Sequence, residues 1–395
     1  MEKVLSPKEK CTRLLLDLLA LEIFGKEVSD SLAKEINEEV LKGLYVLAKQ
    51  HDLLYALSSA LSKQKLLGDT EVGQAFRKQL MIGALRHEKL KADQNGIFSA
   101  LDAENIPYTP LKGAVMRDLY PDPRARSSCD IDVLVSKDDL ERAADVLVSR
   151  LSFKKGAIGS HDLSMYSEGG VHVELHYTLC EDDHSLIGDK VLEGVSKYLT
   201  PSENRPMMQI MSDEMFYFYH IAHMAKHFYD GGCGIKPFAD LRILDQGAED
   251  RTEKRNKLLE EGGLLKFAKV SRALSEVWFG NAEHTPITRD MEQYVISGGV
   301  YGSRENYVAT HRSEKKGKLS YAMSRIFLPY DTIKYFYPVL QKHKWLTPFM
   351  QVRRWFKLIF KGGIKRSVRE LEANSGIQRD EADRSLEFLK SVGLK

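Results

Sequence analysis

Asp130 and Asp132 stand two residues apart in the run Cys129-Asp-Ile-Asp-Val-Leu-Val. In an extended strand that spacing puts both carboxylates on one face. Like charges so placed repel unless a cation lies between them, and hard divalent cations such as Mg²⁺ prefer oxygen ligands of this kind. Taken alone, the pair is more readily the solvated acidic face of an edge strand, because this spacing is common. A second run, Val171-His-Val-Glu-Leu-His-Tyr, changes the weighting. Val171, Val173, Leu175 and Tyr177 alternate onto one face, and His172, Glu174 and His176 onto the other. If the two strands pair, Glu174 joins Asp130 and Asp132 as a third carboxylate. Three carboxylates on neighbouring strands suit a two-metal site for phosphoryl or nucleotidyl transfer. Lys112-Gly113 supplies the complement. It falls between a short strand and a helix, where free N–H groups attract phosphate, glycine admits close approach to the backbone, and the lysine adds a positive charge.

His220, His223 and His227 share one face of a helix that also bears Phe216, Tyr217, Phe218, Tyr219 and Phe228. Packed histidines are one reading, and a zinc-binding pair is another. Asp240, beyond the Gly231-Gly-Cys-Gly loop, is placed to orient one of them. From Thr332 to Arg369 there is no Asp or Glu, while ten Lys or Arg interleave with Trp345, Phe349, Trp355, Phe356, Ile359 and Phe360. The expectation is a helix pair whose apolar face docks on the body and whose basic face meets solvent. An anionic membrane surface or a polyanionic partner is the alternative for 332–369.

The elements that must position these groups follow from periodicity. Residues 1–92 read as an N-terminal helical region, with Leu14, Leu15, Leu18, Leu19 and Ile23 at helical spacing. Residues 93–185 read as a compact α/β core of helix, strand, helix, strand, helix and further strands. Ser136 is expected to cap a helix over 137–151. Residues 186–370 return to helix, including 254–279 as one segment, and 371–395 read as a polar tail. The fold class is therefore α+β, a small mixed sheet flanked by helical regions. Lys+Arg is 58 against Asp+Glu 56 in 395 residues, a net charge of +2 that argues against a surface built for nucleic acid. Four scattered cysteines without a Cys-x-x-Cys pair argue against a disulfide framework, and no signal-peptide pattern opens the chain, so a cytoplasmic location is expected.

The run Leu111-Lys-Gly-Ala, then Asp118-Leu-Tyr-Pro, Arg126, Asp130-Ile-Asp-Val-Leu-Val and Val173-Glu-Leu-His resembles the uncharacterised bacterial nucleotidyltransferase family of the DNA polymerase beta superfamily. Ala222-His-Met-Ala-Lys-His, Asp240-Leu-Arg and Arg325-Ile-Phe-Leu-Pro-Tyr are similar as well. The resemblance implies a nucleotidyltransferase core in which Asp130, Asp132 and Glu174 hold two Mg²⁺ ions and a nucleoside triphosphate. It implies nucleotide-binding roles for Lys112, Gly113, Arg126 and His176, and places His223, His227 and Asp240 at the cleft. Many members of the wider superfamily have Gly-Ser where this chain has Lys112-Gly113, which leaves the terminal phosphates to the Gly113 amide, Lys112 and Arg126. The acceptor, whether small molecule, glycan or protein, and the oligomeric state are not readable from the sequence. The alternative is a non-catalytic nucleotide-binding scaffold in a biosynthetic or membrane assembly.

Overall fold

The computed structural model describes residues 6–27, 32–180, 187–300, 302–303, 306–308, 323, 326–337, 339–360 and 379–395. The N-terminal region is helical. Helix α1 (Pro7–Phe24) opens on a Ser6–Glu9 capping box with proline in its first turn, and closes at Gly25 with φ 65°. Helices α2 (Leu32–Glu35), α3 (Glu38–Gln50) and α4 (Leu54–Lys63) follow, and α1, α3 and α4 bury leucines against one another. Helix α5 (Glu71–Ala103) is 33 residues long and runs unbroken past residue 92. Its first turns bury Phe76 with the N-terminal helices, and its last turns bury Ile97, Phe98 and Leu101 beneath the sheet. It contributes to both cores and so joins the helical region to the sheet.

Five strands form one mixed sheet: β1 (Tyr108–Pro110), β2 (Asp130–Val135), β3 (Lys154–Ile158), β4 (Asp162–Tyr166) and β5 (His172–His176), in the order β1-β2-β5-β4-β3. Strands β2 and β5 are parallel, and every other pair is antiparallel. Helix α6 (Lys112–Leu119) leaves β1 directly, and α7 (Leu140–Leu151) follows β2. Ile131, Val133, Val173 and Leu175 point to one face and pack on α5 and α7, the second of two apolar cores. The larger core joins α1, α3 and α4 to helices from the C-terminal region.

Helix α7 begins three residues later than the capping pattern suggests. Ser136 Oγ accepts from the Asp139 amide at 3.1 Å and donates to its carboxylate at 2.7 Å, closing a turn ahead of the helix. The C-terminal region supplies α8 (Asp189–Glu193), α9 (Asp213–Tyr229), α10 (Lys236–Asp245), α11 (Thr252–Glu261), α12 (Leu265–Phe279) and α13 (Pro286–Gly298). The segment 254–279 is not one helix. Gly262 and Gly263 break it, the latter at φ 72°, a conformation that favours glycine. A small hairpin, β6 (Leu199–Pro201) with β7 (Gln209–Met211), interrupts the expected helices and covers the sheet edge, where the Tyr108 amide donates to Met207 O at 3.1 Å.

The end of the chain carries a helix. It spans Arg379–Ser391, and Leu389, Val392 and Leu394 enter the larger core, because these few apolar residues share a side within a charged run. Helix Thr347–Phe360 keeps Arg353 and Lys357 in solvent as expected, but its apolar residues do not dock as a face on the body. Trp345, Phe349, Val352 and Phe356 are exposed, while Gln351 is buried and donates to Leu328 O. Arg325, residues 361–369 of the basic segment and residues 371–378 of the tail lie outside the described residues. No helix of the described residues is long and apolar enough to cross a membrane.

Candidate active site

Parallel pairing of β2 with β5 sets Asp132 opposite Glu174, Asp130 opposite His172, and Leu134 opposite His176. Pleating then sends Asp130, Asp132, Glu174 and His176 out of the sheet on the face away from the apolar core. They open into a cleft of about 390 Å³. Lys112 and Gly113 reach the same cleft from the start of α6, Arg126 from the loop before β2, His223 and His227 from α9, and Asp240 from α10. All ten residues singled out in the sequence thus line one cleft.

The tightest group within it is Asp132, Glu174 and His176, whose ligating atoms all lie within 4.8 Å of one another. Asp130 borders the cleft beside this group. His176 Nε2 stands 3.3 Å from Glu174 Oε2 and 3.8 Å from Asp132 Oδ1. Burial opposes a charge on His176, but the neighbouring carboxylates of Asp132 and Glu174 overcome it and raise its pKa to about 9. Burial likewise works against ionised Asp132, yet His176 and Lys112 bring it down to about 2. Asp130 is pushed up, first by burial and then by the charge of Asp132. The two carboxylates thus favour a positive charge between them, which His176 can carry when no metal is bound and give up as a neutral imidazole ligand. This donor set, two carboxylates and one imidazole with a third carboxylate alongside, fits a divalent metal ion.

The cationic side is equally built. Arg126 is buried and forks onto Asp240, with Nη2–Oδ2 at 2.9 Å and Nε–Oδ1 at 3.2 Å. Tyr120 donates to Asp240 Oδ1 at 2.7 Å. Asp240 is fully buried and serves Arg126 and Tyr120, rather than holding a histidine as its position after the glycine loop suggests. His220 instead donates to Pro237 O at 3.1 Å and packs inside. Arg126 Nη1 also donates to Ser128 Oγ at 2.9 Å. A Cβ added at Gly113 would meet that hydroxyl at 3.3 Å, a tight contact, so Ser128 stands beside the helix start.

His223 and His227 touch through their Nε2 atoms at 3.2 Å. Burial and the nearby Lys112 charge push His227 down to about 3 and His223 well below the ordinary imidazole range. Two neutral rings thus border the cleft. Among the described residues no three-ligand metal group forms around them. Burial lowers Lys112 too, while Asp132 and Asp130 oppose that shift, and its Nζ lies 5.9 Å from the Tyr219 ring centroid.

A family model described as an uncharacterised nucleotidyltransferase matches residues 38–280, well over half of the chain. The chain belongs to this family. No curated protein and no solved structure matches it. The span shared with the nucleotidyltransferase family begins in α3 and so takes in a cleft residue without a sequence signal. Asp52, at φ 53° between α3 and α4, binds Lys236 Nζ at 2.9 Å and accepts from Ser127 Oγ at 2.8 Å. Lys236 also donates to Ser127 O at 2.9 Å. Burial opposes ionised Asp52, but Lys236 and Ser127 hold its pKa below the ordinary range. The cleft therefore has three walls: the sheet, α9–α10 and the α3–α4 turn. Asp52, Ser127 and Lys236 lie 75 to 184 residues apart in their pairings, and no local spacing announces them.

Proposed function

We propose that the protein transfers a nucleoside monophosphate from a nucleoside triphosphate to an acceptor, with release of pyrophosphate. The observation that supports this reading is the β2–β5 register. It gathers Asp130, Asp132 and Glu174 on one face, opposite the cations Lys112 and Arg126 in the same cleft. Asp132 and Glu174, with Asp130 beside them, would hold the Mg²⁺ that accompanies the nucleotide. When bound, Mg²⁺ polarises the phosphoryl oxygens and stabilises the entering and leaving oxygens. Lys112 and the amides at the start of α6 receive the triphosphate oxygens. Ser128 Oγ, next to Gly113, offers the hydroxyl that the Lys-Gly turn lacks. Arg126, fixed by Asp240, presents a preformed positive charge that needs no reordering when the nucleotide arrives.

In the transfer step an acceptor heteroatom forms a bond to the α-phosphorus as the bond from that phosphorus to the bridging oxygen breaks. The electron pair leaves with pyrophosphate. The acceptor proton passes to Glu174, whose side chain is 28% exposed against 7% for Asp132. The neutral pair His223 and His227 borders the nucleotide without adding charge.

Incubation with each α-labelled nucleoside triphosphate and Mg²⁺, with and without cell extract, tests this reading. Label should move to an acceptor with the wild type and be lost with Asp130→Asn and Asp132→Asn, while both variants stay folded. Full activity in either variant would remove the carboxylate mechanism. Tight nucleotide binding with no transfer in any extract would make the protein a nucleotide-binding scaffold instead.

A further inference from the structure

A second cavity, of about 280 Å³, adjoins the carboxylate cleft, and Asp52, Arg126, Ser127 and Ser128 line both. Its other polar walls come from α3, α5, α6 and the turn before β2, through Lys49, Arg86, His87, Arg117 and Arg124. The charges in it are far from balanced. Asp52 is taken up by Lys236, Arg126 by Asp240, and Arg124 by Asp122. Lys49, Arg86 and Arg117 have no carboxylate within ion-pair distance among the described residues.

Arg117 is the most informative of them. It is only 3% exposed, and its Nη2 donates to Gln94 Oε1. Its Nη1 is buried with no hydrogen-bond partner, and so is His87 Nδ1 in the same wall. A buried guanidinium with an idle N–H and no counter-charge is costly, and an anion that accepts from it would offset that cost. Arg117 Nη1 also lies 3.7 Å from the position a Cβ would take on Gly113, so this wall backs onto the phosphate turn of the carboxylate cleft.

We infer that this second cavity is an acceptor subsite that binds the phosphate group of a phosphorylated acceptor. The inference rests on the transferase reading for the word acceptor, while the anion site stands on its own geometry. Three unpaired cations exceed what a single carboxylate balances, and a phosphate dianion matches them better. Guanidinium groups at Arg86 and Arg117 suit its planar, two-oxygen edges. The shared wall places a molecule anchored here next to the carboxylates.

Calorimetry with inorganic phosphate as the probe tests the site. The primary titration uses protein saturated with a non-hydrolysable nucleoside triphosphate and Mg²⁺, and a second uses protein without nucleotide. Phosphate should bind in both. Arg86→Gln and Arg117→Gln should each weaken it about tenfold or more, Lys112→Ala should leave it unchanged in the nucleotide-saturated titration, and acetate should not compete. Arg86 is exposed, so its variant remains informative if Arg117→Gln fails to fold. Phosphate binding that disappears when nucleotide is bound would overturn the inference, as would loss in Lys112→Ala with retention in Arg86→Gln, or equal competition by acetate. No turnover is needed. Absent phosphate binding with intact label transfer removes only this subsite, and absent label transfer with phosphate still bound removes only the transferase reading.

Discussion

The buried pair of Arg126 and Asp240 offers the sharpest quantitative check on how the cleft is held together. Asp240 is 0% exposed and Arg126 9%, and two hydrogen bonds plus one from Tyr120 join them. Asp240→Asn would leave a guanidinium buried without its counter-charge, at a cost of about 3–5 kcal/mol. Arg126→Met would strand the carboxylate with a similar loss. The double variant removes both charges, keeps the Tyr120 donor paired with the Asn oxygen, and should cost less than the sum of the singles by about 2–3 kcal/mol. Urea unfolding of the wild type, the two singles and the double measures this directly, provided the slope with denaturant stays constant. Asp240→Asn should also weaken nucleotide binding, since it releases the arginine that faces the triphosphate. Single costs that simply add, with coupling below about 0.5 kcal/mol, would refute the pair as the tie between the α10 wall and the β2 wall.

Lys112→Ala should weaken nucleoside triphosphate binding about ten- to a hundredfold, the loss of a charge-assisted hydrogen bond of about 1.5–3 kcal/mol, and Lys112→Arg should recover part of it; calorimetry with Mg²⁺ present decides between this and a lysine without a phosphate role. Mg²⁺ and nucleoside triphosphate together should raise the thermal midpoint more than the two separate shifts added, because the metal bridges carboxylates and phosphates, and chelation with EDTA should abolish the excess. His51 is fully buried, and burial pushes its pKa down from 6.5 to about 4. Between those values the unfolded chain binds a proton that the folded one does not, so stability should fall as pH drops from about 6.5 to 4, by about 3 kcal/mol; His51→Leu should flatten that part of the stability–pH curve, and an unchanged slope would contradict it.

The chemistry of the β2 and β5 strands was legible because it is local. A period of two puts Asp130 with Asp132, and Glu174 with His176, whatever surrounds them. The Lys112-Gly113 turn was legible for the same reason, as a glycine and a cation at the point where a strand hands over to a helix. Helix existence followed from apolar spacing, although Gly262-Gly263 and Ser136 shifted boundaries through backbone conformation and a local hydrogen bond. Other features required the folded chain. Strand spacing alone left open whether β2 and β5 are neighbours, and their parallel register across 42 positions is settled by burial of Ile131, Val133, Val173 and Leu175 on α5 and α7. The same packing set His176 between two carboxylates that raise its pKa, turned Asp240 toward Arg126, and carried Asp52 into the cleft from the N-terminal helices. Charge state and partner choice depend on desolvation and on groups far apart along the chain. Both are properties of the packed whole, and periodicity within one segment holds no record of them.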